Sequence, residues 1–112
     1  IKFDGSDWRI KDLSLSRAFG DTDASPYVTH LPQIYKYTLD KKDKFIIFGC
    51  DGLWDVMSNQ DVTNFILNKM NEIKISNMYR NSENNIAFLL AEYAIKKGST
   101  DNISIIIIFL NN

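Results

Sequence analysis

The chain has 112 residues, of which 45% are hydrophobic and 12% aromatic, and its formal net charge is −1. This length suits one small domain, and the composition is typical of a packed protein rather than a disordered tail. A net charge this close to zero gives no electrostatic reason to expect binding to nucleic acid or to an anionic membrane. The longest apolar run, residues 103–110, is far too short to span a bilayer. We therefore expect no membrane segment, and the first residues do not have the pattern of a signal peptide.

The first half of the chain predicts short extended segments. A strand is predicted within WRIKDLSLS, residues 8–16, and a turn at residues 19–21. A hairpin is predicted next, with residues 32–39 as its first arm, residues 40–43 as a polar turn and residues 45–50 as the returning strand. The returning strand is apolar at nearly every position, which indicates that both of its faces are covered.

Two amphipathic helices are predicted after this hairpin. Ser58 and Asp61 form a variant of the capping box that begins the first helix. Ser82-Glu83 is predicted to open the second, and Gly98 to stop it after two lysines. We interpret both apolar stripes as core packing. Their residues are Val62, Phe65, Ile66, Met70 and Ile73 in the first helix and Ile86, Leu89, Leu90, Tyr93 and Ala94 in the second.

A last strand is predicted over residues 103–110. Five of the six positions 103–108 are isoleucine, and β-branched side chains favour a strand over a helix. The run does not alternate, so this strand is also predicted to be covered on both faces. The order of strand, hairpin, two helices and strand indicates a sandwich of helices and antiparallel strands, which is an α+β fold.

Two acids lie at related positions of these strands. Asp51 ends one apolar strand, and Asp101 comes just before the other. If the strands are antiparallel neighbours, the two carboxylates meet at one edge of the sheet, where their mutual repulsion favours a neutralising cation. Mg²⁺ and Mn²⁺ prefer such oxygen ligands. Asp55 follows four residues after Asp51 and comes within reach if the chain turns tightly at Gly52.

Spacing alone leaves a simpler interpretation open for the same acids. Asp-Gly is a common turn, and Asp101-Asn102 can form a turn with a side-chain to backbone hydrogen bond.

Cys50 is the only cysteine, so no internal disulfide is possible. Its apolar neighbours indicate a buried, inert thiol rather than a nucleophile. His30 is the only histidine, and its neighbours indicate no catalytic role.

Three segments together resemble the metal-dependent serine/threonine protein phosphatases of type 2C. They are LSLSRAFGD (residues 13–21), FIIFGCDGLWDVMSNQDV (residues 45–62) and GSTDNISIIIIFL (residues 98–110). The resemblance implies an α+β fold that is part of an α-β-β-α sandwich, with antiparallel sheets flanked by helices. The family's catalytic domain is more than twice as long, so residues 1–112 would be its C-terminal portion, with the N-terminal half absent.

The resemblance also implies a role for each acid. Asp51 and Asp101 match two carboxylates that hold one of the paired metal ions, which would be Mg²⁺ or Mn²⁺, with two or more ions in a complete site. Asp55 matches a residue that, with Asp51, holds a more weakly bound third ion. Gly52 would give the backbone room beside the site, and Asn102 would orient the loop of Asp101.

Other residues of the motifs are expected to support the site. Arg17 and Asp21 match a motif that we interpret as scaffolding for a loop near it. Trp54 is interpreted as packing rather than substrate contact. No catalytic residue is assigned in this chain, because the family's Asp-Gly-His-Gly motif and its phosphate-binding arginine are expected in the absent half.

The expected function is hydrolysis of phosphoserine and phosphothreonine by a metal-activated water, in signalling. The chain alone is expected to be inactive, although its parent is expected to be an enzyme. The alternatives are a non-catalytic phosphatase-like module that regulates or binds, and an unrelated metal-binding or structural domain.

Expected partners are phosphoprotein substrates and either the remaining half of the domain or a second copy, as a homodimer or domain swap. We expect an intracellular location, cytoplasmic or nuclear. Without a partner, the strands should expose apolar faces and unpaired edges.

Overall fold

The computed structural model describes residues 2–3, 5, 8–9, 13, 15–76 and 85–110. The chain divides into two compact units, Ile1–Thr38 and Leu39–Asn112, called here the N-terminal unit and the C-terminal unit. Among the residues described, no helix is both long and apolar enough to cross a membrane.

The described residues of the N-terminal unit form little regular structure. Strand β1, Lys2–Phe3, pairs antiparallel with β2, Trp8–Arg9, and the rings of Phe3 and Trp8 lie 5.3 Å apart. The strand predicted over residues 8–16 therefore begins as expected, but much of its remainder lies outside the described residues.

The turn predicted at residues 19–21 is confirmed. Gly20 and Asp21 both have positive φ, 77° and 48°. Such a conformation suits glycine and is tolerated by aspartate. A short 3₁₀ helix, Thr22–Ala24, follows directly, and its Ala24 N–H donates to the Asp21 carbonyl at 2.9 Å.

Of the predicted hairpin, the polar turn is confirmed and the first arm is wrong. The polar turn at residues 40–43 forms, with the Asp43 N–H donating to the Asp40 carbonyl at 3.0 Å. Residues 32–39, all of them described, form no strand. Their alternating apolar side chains are not covered, since Ile34 is 85% and Tyr35 82% exposed. An alternating pattern gives a strand only where another strand and an apolar surface are at hand.

The returning strand pairs instead with the last strand of the chain. β3, Phe45–Gly49, and β4, Ile105–Phe109, are antiparallel neighbours, with Phe45 opposite Phe109 and Gly49 opposite Ile105. Both strands are slightly shorter than predicted. The pairing confirms the arrangement on which the metal prediction depends, because the end of β3 now lies beside the start of β4.

The described residues of the C-terminal unit also form three helices: α1, Asp51–Trp54, α2, Asn59–Ser76, and α3, Ile86–Lys96. The capping box that begins α2 is confirmed. The Ser58 hydroxyl accepts from the Asp61 N–H, and the Asp61 carboxylate accepts from the Ser58 N–H, both at 3.1 Å. Two donors at the helix N-terminus are thus satisfied reciprocally.

Helix α3 has defined signals at both ends. Its N-cap is Asn85, whose side chain accepts from the Phe88 N–H at 3.3 Å; the predicted opening at residues 82–83 lies outside the described residues. Its predicted glycine stop is confirmed, because Gly98 has a φ of 104°. The Gly98 N–H donates to the Ile95 carbonyl, and the Ser99 N–H to the Ala94 carbonyl. This pair of bonds is the Schellman motif.

The core lies between the helices and one face of the β3–β4 sheet. Its largest fully buried side chains are Leu53, Val62, Ile66 and Leu90, each of which stabilises the fold by about 1.5–3 kcal/mol relative to an exposed position. The α+β class and the first helical stripe are confirmed. In the second stripe Ile86, Leu90 and Ala94 are buried in the core, whereas Tyr93 is 36% exposed, so that stripe is confirmed only in part.

The other face of this sheet, here called the outer face, is exposed. Phe48 is 55%, Ile106 62% and Ile108 45% accessible. The prediction that both strands are covered on both faces is therefore wrong for the described chain, because the helices cover only one face. The expectation that the strands expose an apolar face is met.

Candidate functional site

Asp51 and Asp55 lie on one turn of helix that begins where strand β3 ends. Cys50 is extended, with a ψ of 178°, and α1 starts at the next residue. The Asp55 N–H donates to the Asp51 carbonyl at 2.8 Å. Residues four apart on a helix lie on the same side, so both exposed carboxylates project from one side of this turn.

Gly52 is where this turn meets the loop that carries Asp101. A side-chain carbon at Gly52 would overlap the Asn102 carbonyl oxygen and would lie 3.0 Å from its carbonyl carbon. Gly52 is buried, and only a residue without Cβ permits this approach. The Asp51 and Asp101 segments are therefore in direct backbone contact at one end of the sheet.

Hydrogen bonds from two further side chains also join these segments. The Ser99 hydroxyl donates to the Gly52 carbonyl at 2.6 Å. The Cys50 thiol lies 3.2 Å from the Asn102 carbonyl oxygen, to which it donates, and accepts from the Ser104 N–H at 3.3 Å. Cys50 is half-buried, so the prediction of a buried thiol among apolar neighbours is wrong. The thiol faces polar backbone groups because the loop of Asp101 folds against it.

Asp101 also makes the local contact that the simpler interpretation expected. One of its carboxylate oxygens accepts from the Asn102 N–H at 2.7 Å. A carboxylate has two oxygens with several lone pairs, so this bond leaves acceptor capacity for another partner. Asn102 thus acts through its backbone, whose N–H contacts Asp101 and whose carbonyl contacts Cys50.

The donor set fits part of a divalent-cation site. Asp51, Asp55 and Asp101 are oxygen donors of the kind that Mg²⁺ and Mn²⁺ prefer, and they stand on adjoining segments. They do not form a closed cluster, since no group of three or more His, Cys, Asp or Glu side chains is gathered for a metal within the described ranges. A complete coordination shell would need ligands beyond these three carboxylates.

The predicted supporting residues of the N-terminal unit lie in one local structure. Arg17 forms an isolated bridge with Thr29, and the Ala18 N–H donates to the Thr29 carbonyl at 3.0 Å. Asp21 precedes the 3₁₀ helix in the left-handed conformation. Both belong to the backbone framework of this unit, and their influence on the acids stays a prediction.

Trp54 behaves as the sequence indicates. Its indole N–H donates to the Gly49 carbonyl at 3.0 Å, and its ring packs against the core. Ser99, in contrast, was missed as a site residue. The signal was present: a serine directly after a helix-stopping glycine and two residues before an acid, in GSTDN.

Comparison with known proteins identifies relatives. A family model described as Protein phosphatase 2C matches residues 3–103. A PP2C-like domain-containing protein of Acanthamoeba polyphaga mimivirus is 49% identical over 99% of this chain and 67% of its own length. A protein kinase and PP2C-like domain-containing protein of Oryza sativa subsp. japonica is 35% identical over 98% of this chain. Protein phosphatase 1B of Bos taurus is 31% identical over 89% of it. The chain spans 16% of the rice protein and 21% of the bovine protein.

Proposed function

We propose that this chain, which belongs to the protein phosphatase 2C family, is the C-terminal portion of a metal-dependent protein serine/threonine phosphatase domain. The observation that carries the proposal is the backbone contact between Gly52 and Asn102. It places Asp51 and Asp101 on adjoining segments, as shared ligation of one ion requires. Phosphoserine and phosphothreonine proteins are the proposed substrates.

Each acid has a proposed task in the site. Asp51 and Asp101 hold one of the paired Mg²⁺ or Mn²⁺ ions, and Asp55 with Asp51 holds a third. When bound, such ions lower the pKa of an attacking water and neutralise charge on the phosphoryl oxygens. Gly52 keeps the two segments close enough for shared ligation. The remaining ligands and the groups that bind phosphate come from outside this chain.

A first experiment tests the role of the acids in the full-length protein. Asp51→Asn and Asp101→Asn should each lower Mn²⁺-dependent hydrolysis of a phosphopeptide by about 100-fold, because each removes a charged oxygen ligand. Glu92→Gln, which makes the same change at an exposed acid on α3, should leave the rate unchanged. Full activity in Asp51→Asn would contradict the proposal.

The same proposal expects residues 1–112 alone to be inactive. With three carboxylates and no closed cluster among the residues described, this polypeptide should bind Mn²⁺ more weakly than micromolar in calorimetry. Its turnover of a phosphopeptide should not exceed that of its own Asp51→Ala variant. Turnover above that variant, or micromolar affinity, would overturn this part of the proposal.

The second candidate is a phosphatase-like module without catalytic activity. One observation favours it. The alignment with the mimivirus protein spans 120 residues and 67% of that protein, so that relative is less than twice as long as this chain. It is thus shorter than the complete catalytic domain that the family resemblance implies. A full-length protein that binds phosphopeptide but shows no Mn²⁺-dependent turnover would support this second candidate.

A further inference from the structure

Side-chain hydrogen bonds join the segment of Asp51 to the loop of Asp101, and they indicate that these bonds hold the two segments at a fixed spacing. Cys50 comes directly before Asp51, and Ser99 comes two residues before Asp101. Each makes a side-chain hydrogen bond to the backbone of the opposite segment. We infer that Ser99 and Cys50 are positioning residues, which hold the Asp101 loop against the Asp51 turn and so set the distance between the two acids. This inference rests on the proposed function.

Ser99 is placed for this task by the end of helix α3. Gly98 turns the chain with a φ of 104°, and the Ser99 N–H is held by the Ala94 carbonyl at 3.1 Å. With its backbone fixed in this way, the half-buried Ser99 directs its hydroxyl to the Gly52 carbonyl. The last carbonyls of a helix have no partner within the helix, so Ser99 satisfies one such group of the short helix α1.

Cys50 forms the second tie from the other side. Its thiol forms two hydrogen bonds with the same loop, donating to the Asn102 carbonyl and accepting from the Ser104 N–H. Asn102 is also the residue whose carbonyl lies against Gly52 and whose N–H contacts the Asp101 carboxylate. The thiol therefore holds the residue that in turn orients Asp101.

The consequence concerns metal affinity. Asp51 and Asp101 belong to different segments, and neither acid sits inside a long helix or strand that would fix it. Ligands held in place before binding avoid an entropic cost when the ion arrives. Groups that hydrogen-bond metal ligands typically contribute about 10–100-fold to metal affinity. Ser99 and Cys50 act on this pair of acids through the backbone of Gly52 and Asn102, so we expect their effect at the lower end of this range.

The test measures Mn²⁺ affinity by calorimetry in the full-length protein, without substrate. Ser99→Ala removes one positioning hydrogen bond and Cys50→Ala removes both bonds of the thiol, and each should weaken binding by about tenfold. Ser99→Thr, which keeps the hydroxyl, should restore affinity. Thr100→Ala removes an exposed hydroxyl from the same loop and should change nothing. The double variant should lose less than the product of the two single effects if both residues hold one loop.

A second readout does not depend on metal. Hydrogen exchange of the Asn102 and Ser104 amides, measured in the metal-free protein, should be faster in Ser99→Ala than in Thr100→Ala because the loop is no longer tied. Urea unfolding of each variant identifies any that has lost its fold, and affinity is compared only among folded variants.

The outcomes separate this inference from the proposed function. If the wild-type protein binds Mn²⁺ in a manner that depends on Asp51, but Ser99→Ala and Cys50→Ala bind it equally well, the positioning role is overturned and the function stands. If the wild type itself shows no Asp51-dependent Mn²⁺ binding, both are overturned. Weaker binding in Ser99→Ala with recovery in Ser99→Thr supports the inference.

Discussion

Gly52 is required for space rather than for an unusual backbone conformation. It lies within helix α1, yet a Cβ there would overlap the Asn102 carbonyl. Backbone atoms cannot rotate away as a side chain can, so Gly52→Ala must separate the two segments. We expect it to lower the free energy of unfolding by about 1–3 kcal/mol and to weaken Mn²⁺ binding. Urea unfolding and calorimetry measure the two effects.

Gly49→Ala is the matched comparison for this prediction. A Cβ at Gly49 would meet side chains instead, with Leu53 Cδ2 at 3.0 Å and the Trp54 ring at 3.2 Å. These groups can adjust within the core, so the loss of stability should be smaller and Mn²⁺ affinity should be retained. If Gly49→Ala is the more damaging of the two for metal binding, the spacing role of Gly52 is wrong.

At the level of residues, the sequence predicted where the acids lie better than it predicted which contacts join their segments, and the role of the acids as metal ligands stays a prediction. Asp51 and Asp101 follow from residue type and from their positions at strand ends. The local pattern GSTDN places Ser99 near an acid, but its hydrogen bond to Gly52 joins residues 47 positions apart, and no local pattern specifies that distant partner. The exposure of Cys50 was mispredicted for the same reason, since its neighbours in space come from residues 102–104.

At the level of elements, local signals succeeded where they were sufficient. The capping box at Ser58 and the glycine stop at Gly98 satisfy hydrogen bonds within a few residues, so sequence determines them. Helical periodicity likewise located the buried face of α2. The hairpin arm over residues 32–39 failed because a strand needs a partner from elsewhere, and β3 pairs with β4 instead.

The capping box gives helix α2 a dependence on pH. Hydrogen bonds from Ser58, with a smaller contribution from the positive charge of Lys97, lower the pKa of Asp61 from its ordinary value of 3.8. A carboxylate whose pKa is lower in the folded state stabilises the fold above its unfolded pKa, and this contribution is lost as the pH falls through the folded value. The stabilisation should therefore be complete near pH 7 and decline below about pH 4.

Asp61→Asn tests this dependence, because it keeps an acceptor oxygen but removes the charge. Urea unfolding midpoints should differ between wild type and variant at pH 7, with the wild type more stable, and should converge as the pH falls below about 3. Asn64→Ala, a change on the same helix without a titrating group, should shift the midpoint equally at both pH values. A constant difference for Asp61→Asn across this range would show that its charge does not contribute.

At the level of the whole chain, the outer face of the β3–β4 sheet is the feature that packing leaves unexplained. Phe48 and Ile106 stand opposite each other on the two strands and are both more than half exposed. Adjacent apolar side chains on a sheet form a continuous surface, unlike single exposed residues on a helix. β3 and β4 pair with no further strand among the described residues, and such open edges together with this surface favour association with another chain.

We therefore expect residues 1–112 to self-associate, as a homodimer or a domain swap, or to bind the remaining part of the catalytic domain when it is supplied. Ile106→Thr keeps a β-branched residue but removes apolar surface from the outer face, so it should shift sedimentation towards monomer. Ile95→Thr is the control, because Ile95 on helix α3 is 61% exposed against 62% for Ile106 and the chemical change is the same. Association driven by apolar exposure in general would respond equally to both substitutions, whereas docking through the sheet responds only to Ile106→Thr. A wild-type chain that sediments as a stable monomer at high concentration would refute the expectation, and it would mean that the outer face stays in water without a partner.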